Sequence, residues 1–354
     1  MSTEPLPRLF SRCLLRPADL AASQADLEIA GVFNPGAAAT PGGVILLVRV
    51  AERVRERRAG CVGLPRWEVE TGRVVTDWLR EEEVAFLDAR VVKIRRTGLL
   101  RLTFTSHLRV VRCGDGRSVD AMDAEIFRPR ETTEEYGIED PRITPVGDRF
   151  YLTYVAVSRH GAATALASTR DFRSFERHGI IFCPENKDVV LFPERIGGQH
   201  RALHRPAAAH EFSRPEMWLA SSPDLRHWGA HTPFLGATAE WEIGRVGAGT
   251  PPMRTAQGWL EIYHGNDRRE GDAGIGTYSG GALLLDLENP RRILRQRGRI
   301  LVPEEEYERT GFVPGVIFPT GIVPQGETVL IYCGAADTAT AVVELRLRDL
   351  LATG

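Results

Sequence analysis

Residues 140–157 read DPRITPVGDRFYLTYVAV. A proline opens a short apolar run, Gly147–Asp148 supplies a turn, and a second run ends in aromatic and apolar side chains, the pattern of a β-hairpin. The pattern occurs four more times: NPGAAATPGGVILLVRV from Asn34, FPERIGGQHRALHRPA from Phe192, TPPMRTAQGWLEIYHG from Thr250 and FPTGIVPQGETVLIYCG from Phe318. The governing prolines are Pro35, Pro141, Pro193, Pro251 and Pro319. They are separated by 106, 52, 58 and 68 residues, so the first interval holds an insertion.

A second motif repeats between two of the units. ASTRDFRSF (Ala167–Phe175) and ASSPDLRHW (Ala220–Trp228) lie 53 residues apart, and each reads as strand, Asp-containing turn, strand. Each unit is therefore a meander of about four strands. Such a meander cannot bury both faces alone, and packing against neighbours in a ring solves that problem. No long amphipathic helix competes. The expected fold is all-β: one five-bladed β-propeller over residues 1–354, with an insertion or elongated first blade at about 52–95. Tandem β-sandwiches are the alternative, but five copies with one opening motif favour the ring. Within the insertion, RVRERRAG reads as a solvated loop and the remainder as an extra hairpin.

Composition narrows the function. The chain carries 26% charged residues and a formal net charge of −2, which argues against disorder and against a polyanion-binding surface. The longest apolar stretch, Val44–Val48, is far too short to span a membrane, and the N-terminus has no signal-peptide core. Five scattered cysteines without a CxxC suit reduced thiols in a cytoplasm. His200 and His204 have i,i+4 spacing but lack the metalloprotease glutamate, so no metal is expected. GIGTYSGG (Gly274–Gly281) fails the GxGxxG spacing, so no nucleotide is expected either. Only two basic residues are lysines, Lys93 and Lys187.

In a propeller the innermost strands line a central channel, so matching repeat positions converge. Those positions hold Asn34, Arg49, Glu139, Asp140, Arg142, Lys187, Asp188, His204, Arg205, Arg245, Tyr263, His264 and Asp337. Each alone is equally compatible with an inter-blade salt bridge. Together they form two chemical types. Carboxylates suit sugar hydroxyls and acid catalysis. Lys187, Arg205, Arg245 and Arg49 suit an anion such as phosphate, through bidentate guanidinium bonds and a point charge.

Several segments resemble glycoside hydrolase family 130: VFNPGA (Val32–Ala37), LLVRV (Leu46–Val50), GIEDPR (Gly137–Arg142), NKDVVLFPERIGG (Asn186–Gly198), LHRP (Leu203–Pro206), GAGTPP (Gly247–Pro252), GWLEIYHG (Gly258–Gly265) and IYCGAADT (Ile331–Thr338). The resemblance runs in order through nearly the whole chain. It implies a five-bladed propeller and an inverting phosphorylase that cleaves β-mannosides with inorganic phosphate to give α-mannose 1-phosphate. It implies Asp140 as general acid, acting through the mannose 3-hydroxyl. It implies phosphate binding by Lys187, Arg205 and Arg245, and sugar binding by Asn34, Arg49, Asp188, His264 and Asp337; Glu139 and Tyr263 join the substrate set as neighbours. Phosphate is a co-substrate and no cofactor is implied; a homo-oligomer is compatible with the family. Arg245 stands where lysine is common, Glu242 where aspartate is expected, Cys333 where tyrosine is frequent, and 52–95 has no match.

Physical logic favours phosphorolysis. An inverting hydrolase needs a second carboxylate to activate water; a phosphorylase needs cations to hold an anion in line with the anomeric carbon. A phosphate-independent β-mannosidase, with Glu242 or another glutamate as base, is the competing reading, and a non-catalytic glycan-binding propeller is the third. As a general acid, Asp140 is expected to have a raised pKa, from burial or from Glu139, with Arg142 opposing the shift or pairing with Glu139.

Overall fold

The computed structural model describes residues 4–207, 214–269, 271–272 and 274–352. Its framework is five sheets built on four antiparallel strands each. The first contains Leu27–Thr40, Gly43–Val54, Thr105–Cys113 and Ala121–Phe127. The second follows as Gly137–Val146, Arg149–Ser158, Gly161–Thr169 and Glu176–Phe182. The third is Asn186–Leu191, His200–Pro206, Met217–Ser222 and Gly229–Leu235. The fourth is Arg245–Gly247, Trp259–Asn266, Tyr278–Leu285 and Ile293–Leu301, with Met253–Arg254 as a short extra strand. The fifth takes Ile317–Gln325, Thr328–Ala335 and Ala339–Arg346, and its outer strand is the N-terminal Phe10–Leu15. Among the described residues the longest helix is Leu347–Leu351, and no helix is long and apolar enough to cross a membrane.

The alternation of side chains explains why the sheets associate. The central strands, such as Gly43–Val54 and Trp259–Asn266, are buried on both faces, so each sheet must be covered twice. Ile45, Leu47 and Leu108 of the first sheet pack with Ile138, Ile143 and Leu152 of the second. Leu166 and Phe182 meet Val189 and Leu191 of the third. Val190 and Leu219 meet Val246 and Trp259 of the fourth. Leu260 and Ile300 meet Ile317 and Val343 of the fifth. Val32 and Leu46 of the first sheet pack with Val323 and Leu330 of the fifth. Each fully buried large aliphatic or aromatic side chain contributes roughly 1.5–3 kcal/mol. The first and fifth sheets are also stitched by hydrogen bonds: Thr320 Oγ1 donates to the Pro35 carbonyl at 2.8 Å and Thr340 Oγ1 to the Val32 carbonyl at 2.9 Å.

The innermost strands are interrupted at comparable places. Register slips between Phe33 and Gly36, between Glu139 and Arg142, between Lys187 and Val190, and between Pro319 and Gly321. A bulge re-aims side chains and is tolerated where a ladder bond is already missing, as at a proline. Pro35, Pro141 and Pro319 sit at such bulges. Pro193 does not: it follows the strand Asn186–Leu191, and the third sheet's bulge is at Asp188. The repeat is therefore offset in this sheet, where Val189 follows Asp188 as proline follows Asn34 and Asp140.

The interruption of the first sheet lies between its second and third strands, from the end of Gly43–Val54 to the start of Thr105–Cys113. It forms a hairpin, Cys61–Glu68 with Arg73–Arg80, and a three-stranded sheet of Val84–Phe86, Val91–Ile94 and Leu100–Leu102. Lys93 is an exposed position on the latter.

Candidate active site

The bulges deliver the chemistry. Asn34, Asp140 and Asp188 occupy the left-handed region, with φ of 50°, 48° and 54°, and Asp337 has φ of 47° in the turn after Thr328–Ala335. Asn and Asp are the side-chain-bearing residues that best tolerate this conformation. Asn34 and Asp140 also precede prolines, which normally force an extended backbone. Local strain is thus held at the four residues that face one cavity.

That cavity is lined by Asn34, Arg49, Glu139, Asp140, Lys187, Asp188, Arg205, Arg245, His264 and Asp337, together with Phe33, Arg90, Phe104, Tyr278, Phe312 and Phe318. Of the residues expected to bind phosphate or sugar, Tyr263 alone lies elsewhere. Tyr263 and His264 are consecutive on the strand Trp259–Asn266, so they project from opposite faces. His264 faces the cavity. Tyr263 is buried in the core between the third and fourth sheets, and its hydroxyl donates to Glu242 Oε1 at 2.6 Å. Glu242 in turn accepts from the Thr238 hydroxyl at 2.8 Å and from the Ala239 amide at 3.1 Å, so it braces a turn and does not line the cavity. His204 also turns away, bonded to Asn186 and His231.

One wall is a tight network around Asp140. Arg49 reaches Asp140 Oδ1 at 2.8 Å with one nitrogen and Glu139 Oε1 at 2.7 Å with the other. Asn34 Nδ2 donates to Asp140 Oδ1 at 2.8 Å, which leaves Asn34 Oδ1 buried without a partner. Gly334 keeps room for this amide, because a Cβ there would collide with Asn34. Arg49 sits over the Phe33 ring, 4.7 Å from its centroid, which fixes the guanidinium plane. Below, Arg142 donates to the Asp140 carbonyl at 2.8 Å and to the Gly249 carbonyl at 2.6 Å. Arg142 approaches Asp188 at 3.7 Å, so its expected alternative pairing with Glu139 belongs instead to Arg49.

The adjoining wall is cationic. Lys187 and Arg205 are direct cross-strand partners in the third sheet. Arg205 Nε pairs with Asp188 Oδ2 at 2.7 Å, and Lys187 Nζ lies 3.7 Å from Glu139 Oε2. Among the described residues, the Arg245 Nε has no hydrogen-bond partner. Both ring nitrogens of His264 are likewise buried and unpartnered; Nε2 is 3.5 Å from Asp188 Oδ2. Gly247, the cross-strand partner of His264, keeps this corner open, since a Cβ would meet both His264 and Asp188.

The charge states follow from these contacts. Burial pushes the Asp140 carboxyl up, but Arg49, Arg142, the Asn34 hydrogen bond and Lys187 together outweigh it, so the group is held below the usual range. This corrects the expectation of a raised value: the guanidiniums beside Asp140 outweigh its desolvation. Burial also works against ionised Asp188, yet Arg205, His264 and Arg142 keep it well below the usual range. Burial dominates at His264, whose pKa falls to about 3, so the ring is neutral. Asp337 is raised by burial and by Asp140 and Glu139, against Arg90 and Arg49. Among the described residues no group of three or more His, Cys, Asp and Glu side chains could hold a metal ion.

Two features escaped the sequence. Arg90 enters from the three-stranded insertion, which no repeat or motif registers. The aromatic lining of Phe33, Phe104, Phe312 and Phe318 is spread over separate elements, and Phe318 packs against His264 with centroids 4.4 Å apart.

A family model described as beta-1,4-mannooligosaccharide phosphorylase of the Glyco_hydro_130 family matches residues 81–353. A beta-1,2-mannobiose phosphorylase from Listeria innocua is 37% identical over 344 residues, covering 96% of this chain and 95% of the relative. A 1,2-beta-oligomannan phosphorylase from Thermoanaerobacter is 35% identical, over 67% of this chain and 77% of that protein. The solved structure of the Listeria innocua phosphorylase in complex with beta-1,2-mannobiose superposes with a TM-score of 0.89, covering 96% of each chain.

Proposed function

The chain belongs to glycoside hydrolase family 130, and from that premise we propose that it is an inverting β-mannoside phosphorylase on a five-bladed β-propeller, with Asp140 as general acid and inorganic phosphate as nucleophile. Five four-stranded sheets, each packed on the next and the first on the fifth, support the propeller. The observation that carries the reaction is the meeting of Asp140 with Lys187, Arg205 and Arg245 in one cavity.

Phosphate lies against the three cations, its oxygen in line with the anomeric carbon. The sugar lies against Asn34, Arg49, Asp188, His264 and Asp337. As the phosphate oxygen bonds to C1, the bond from C1 to the glycosidic oxygen breaks. That oxygen takes a proton from the mannose 3-hydroxyl, which takes one from the Asp140 carboxyl. The products are α-mannose 1-phosphate and the released sugar. Asp140 must therefore gain a proton when ligands bind. A phosphate dianion offsets the field of Lys187, and the sugar displaces water; both act to raise the carboxyl's pKa.

Hydrolysis requires a carboxylate free to activate water. Glu242 is outside the cavity, and both oxygens of Glu139 face cations, Arg49 and Lys187. These arrangements weigh against the hydrolase, and a mere glycan binder has no use for the cationic wall. The relative matched along 96% of this chain is named for β-1,2-mannobiose, which supports that disaccharide as the substrate. Five free cysteines suit a reducing compartment, so we assign the enzyme to the cytoplasm. The linkage is tested by running the reaction backwards, with α-mannose 1-phosphate and mannose. A β-1,2-linked product is expected; a β-1,4-linked product overturns the linkage assignment.

A further inference from the structure

Arg90 is carried into the cavity by an element outside the five sheets. It sits in the turn between the short strands Val84–Phe86 and Val91–Ile94, and that turn is firmly anchored. The Arg90 amide donates to Asp88 Oδ1 at 2.7 Å, its carbonyl accepts from the Thr103 amide at 2.9 Å, and the Thr103 hydroxyl donates to the Ala89 carbonyl at 2.7 Å. The side chain is held as well. One terminal nitrogen donates to Asp88 Oδ2 at 3.1 Å, and the other lies 3.5 Å from Asp337 Oδ2. Its Nε is buried with no partner.

Asp337 stands in crowded electrostatic surroundings. Asp140 and Glu139 face it with like charge, and Arg49 and Arg90 with opposite charge. Arg49, however, spends its two terminal nitrogens on Glu139 and Asp140. Among the described residues, Arg90 is the cation in ion-pair contact with Asp337. Asp337 is also strained into the left-handed region, so its direction is set by the backbone and its charge by its neighbours.

We propose that Arg90 is a positioning residue for the sugar site: the insertion delivers it to Asp337 so that this carboxylate stays ionised and aimed to accept a sugar hydroxyl. The inference rests on the phosphorylase reading only in assigning Asp337 to the sugar. A carboxylate accepts two hydrogen bonds from hydroxyls when ionised, and loses an acceptor site when protonated. Burial and the neighbouring Asp140 and Glu139 already push Asp337 toward protonation. Removing Arg90 leaves Arg49 to oppose them alone. The carboxyl would then protonate at higher pH, and the acid limb of kcat/KM, which reports free-enzyme groups, would move upward.

The test compares wild type, Arg90→Met and Arg90→Lys in kcat/KM for β-1,2-mannobiose from pH 5 to 9, alongside melting temperatures. Arg90→Met is expected to lose kcat/KM at the acid end of that range, by up to about tenfold for each unit by which the limb moves upward, and much less at pH 8. Arg90→Lys, which keeps the charge, is expected to return the acid limb most of the way. If Arg90→Met lowers melting while kcat/KM falls by the same factor at every pH, Arg90 is only a latch for the insertion and the proposal fails. An unchanged profile overturns it too. Wild-type cleavage measured with and without phosphate reports separately on the phosphorylase reading, since the profile comparison holds for either nucleophile.

Discussion

The two walls of the cavity use the same residue types to opposite effect. Around Asp140, charge is nearly balanced: Arg49 grips Glu139 and Asp140 together, and Arg90 meets Asp337. Beside it, among the described residues, Lys187, Arg205 and Arg245 face a single close partner, Asp188 on Arg205, while Lys187 keeps 3.7 Å from Glu139 and Arg245 holds an unpartnered Nε. A balanced wall orients neutral hydroxyls without attracting ions. A wall with surplus positive charge is incomplete until an anion arrives, and guanidiniums bind phosphate with planar, directional bonds. The contrast explains how a chain of formal net charge −2 takes an anionic substrate: the positive surplus is local.

The comparison breaks most sharply at Asp140. Asp140→Asn keeps the shape and the contact with Asn34 or Arg49 but cannot supply a proton. Phosphorolysis is expected to fall at least ~100-fold, measured as initial rate of mannose 1-phosphate release. Turnover like that of wild type would remove Asp140 from the acid role.

On the cationic wall the expected effect is smaller and one-sided. Arg245→Ala removes a guanidinium whose Nε has no partner, so it leaves the sugar-side network in place. The KM for phosphate is expected to rise roughly tenfold, the scale of a lost charge-assisted hydrogen bond of about 1.5–3 kcal/mol. The KM for mannobiose should change little. An equal rise in both would erase the division into two walls.

The smallest effect concerns what lies beneath both walls. Glu261 is fully buried, accepts one hydrogen bond from the Gly249 amide at 2.9 Å, and leaves Oε2 without a partner. Burial pushes its pKa up to about 8, against Gly249 and Arg142. The folded protein therefore holds a proton that the unfolded chain gives up near pH 4.5. Stability from this group is present below that pH and is lost as pH rises toward about 8. Glu261→Gln keeps the bond to Gly249 and is expected to flatten that decline. The variant should melt close to wild type at pH 5 and above it at pH 8. An unaltered pH dependence of melting would contradict the protonated state of Glu261.

What the sequence revealed, and what it hid, has physical causes. Asn34, Asp140 and Asp188 were legible from matching repeat positions and from the family motifs; the structure adds that each sits at a bulge in the left-handed region, beside proline in two cases. Tyr263 adjoins His264 in sequence, but strand alternation separates the pair, and only His264 faces the cavity. The low pKa of Asp140 depends on which cations reach it, Arg49, Arg142 and Lys187, and that is decided by side-chain geometry across three sheets. Arg90 left no signal: its segment belongs to no repeat, and only the folding of the small sheet brings it to Asp337, 247 positions away.

The central claim is that the surplus charge on one wall holds the nucleophile. It is tested most directly by incubating the protein with β-1,2-mannobiose with and without inorganic phosphate and identifying the products. Cleavage is expected to depend on phosphate and to yield α-mannose 1-phosphate with one equivalent of mannose. Cleavage to free mannose alone, at the same rate without phosphate, would contradict it.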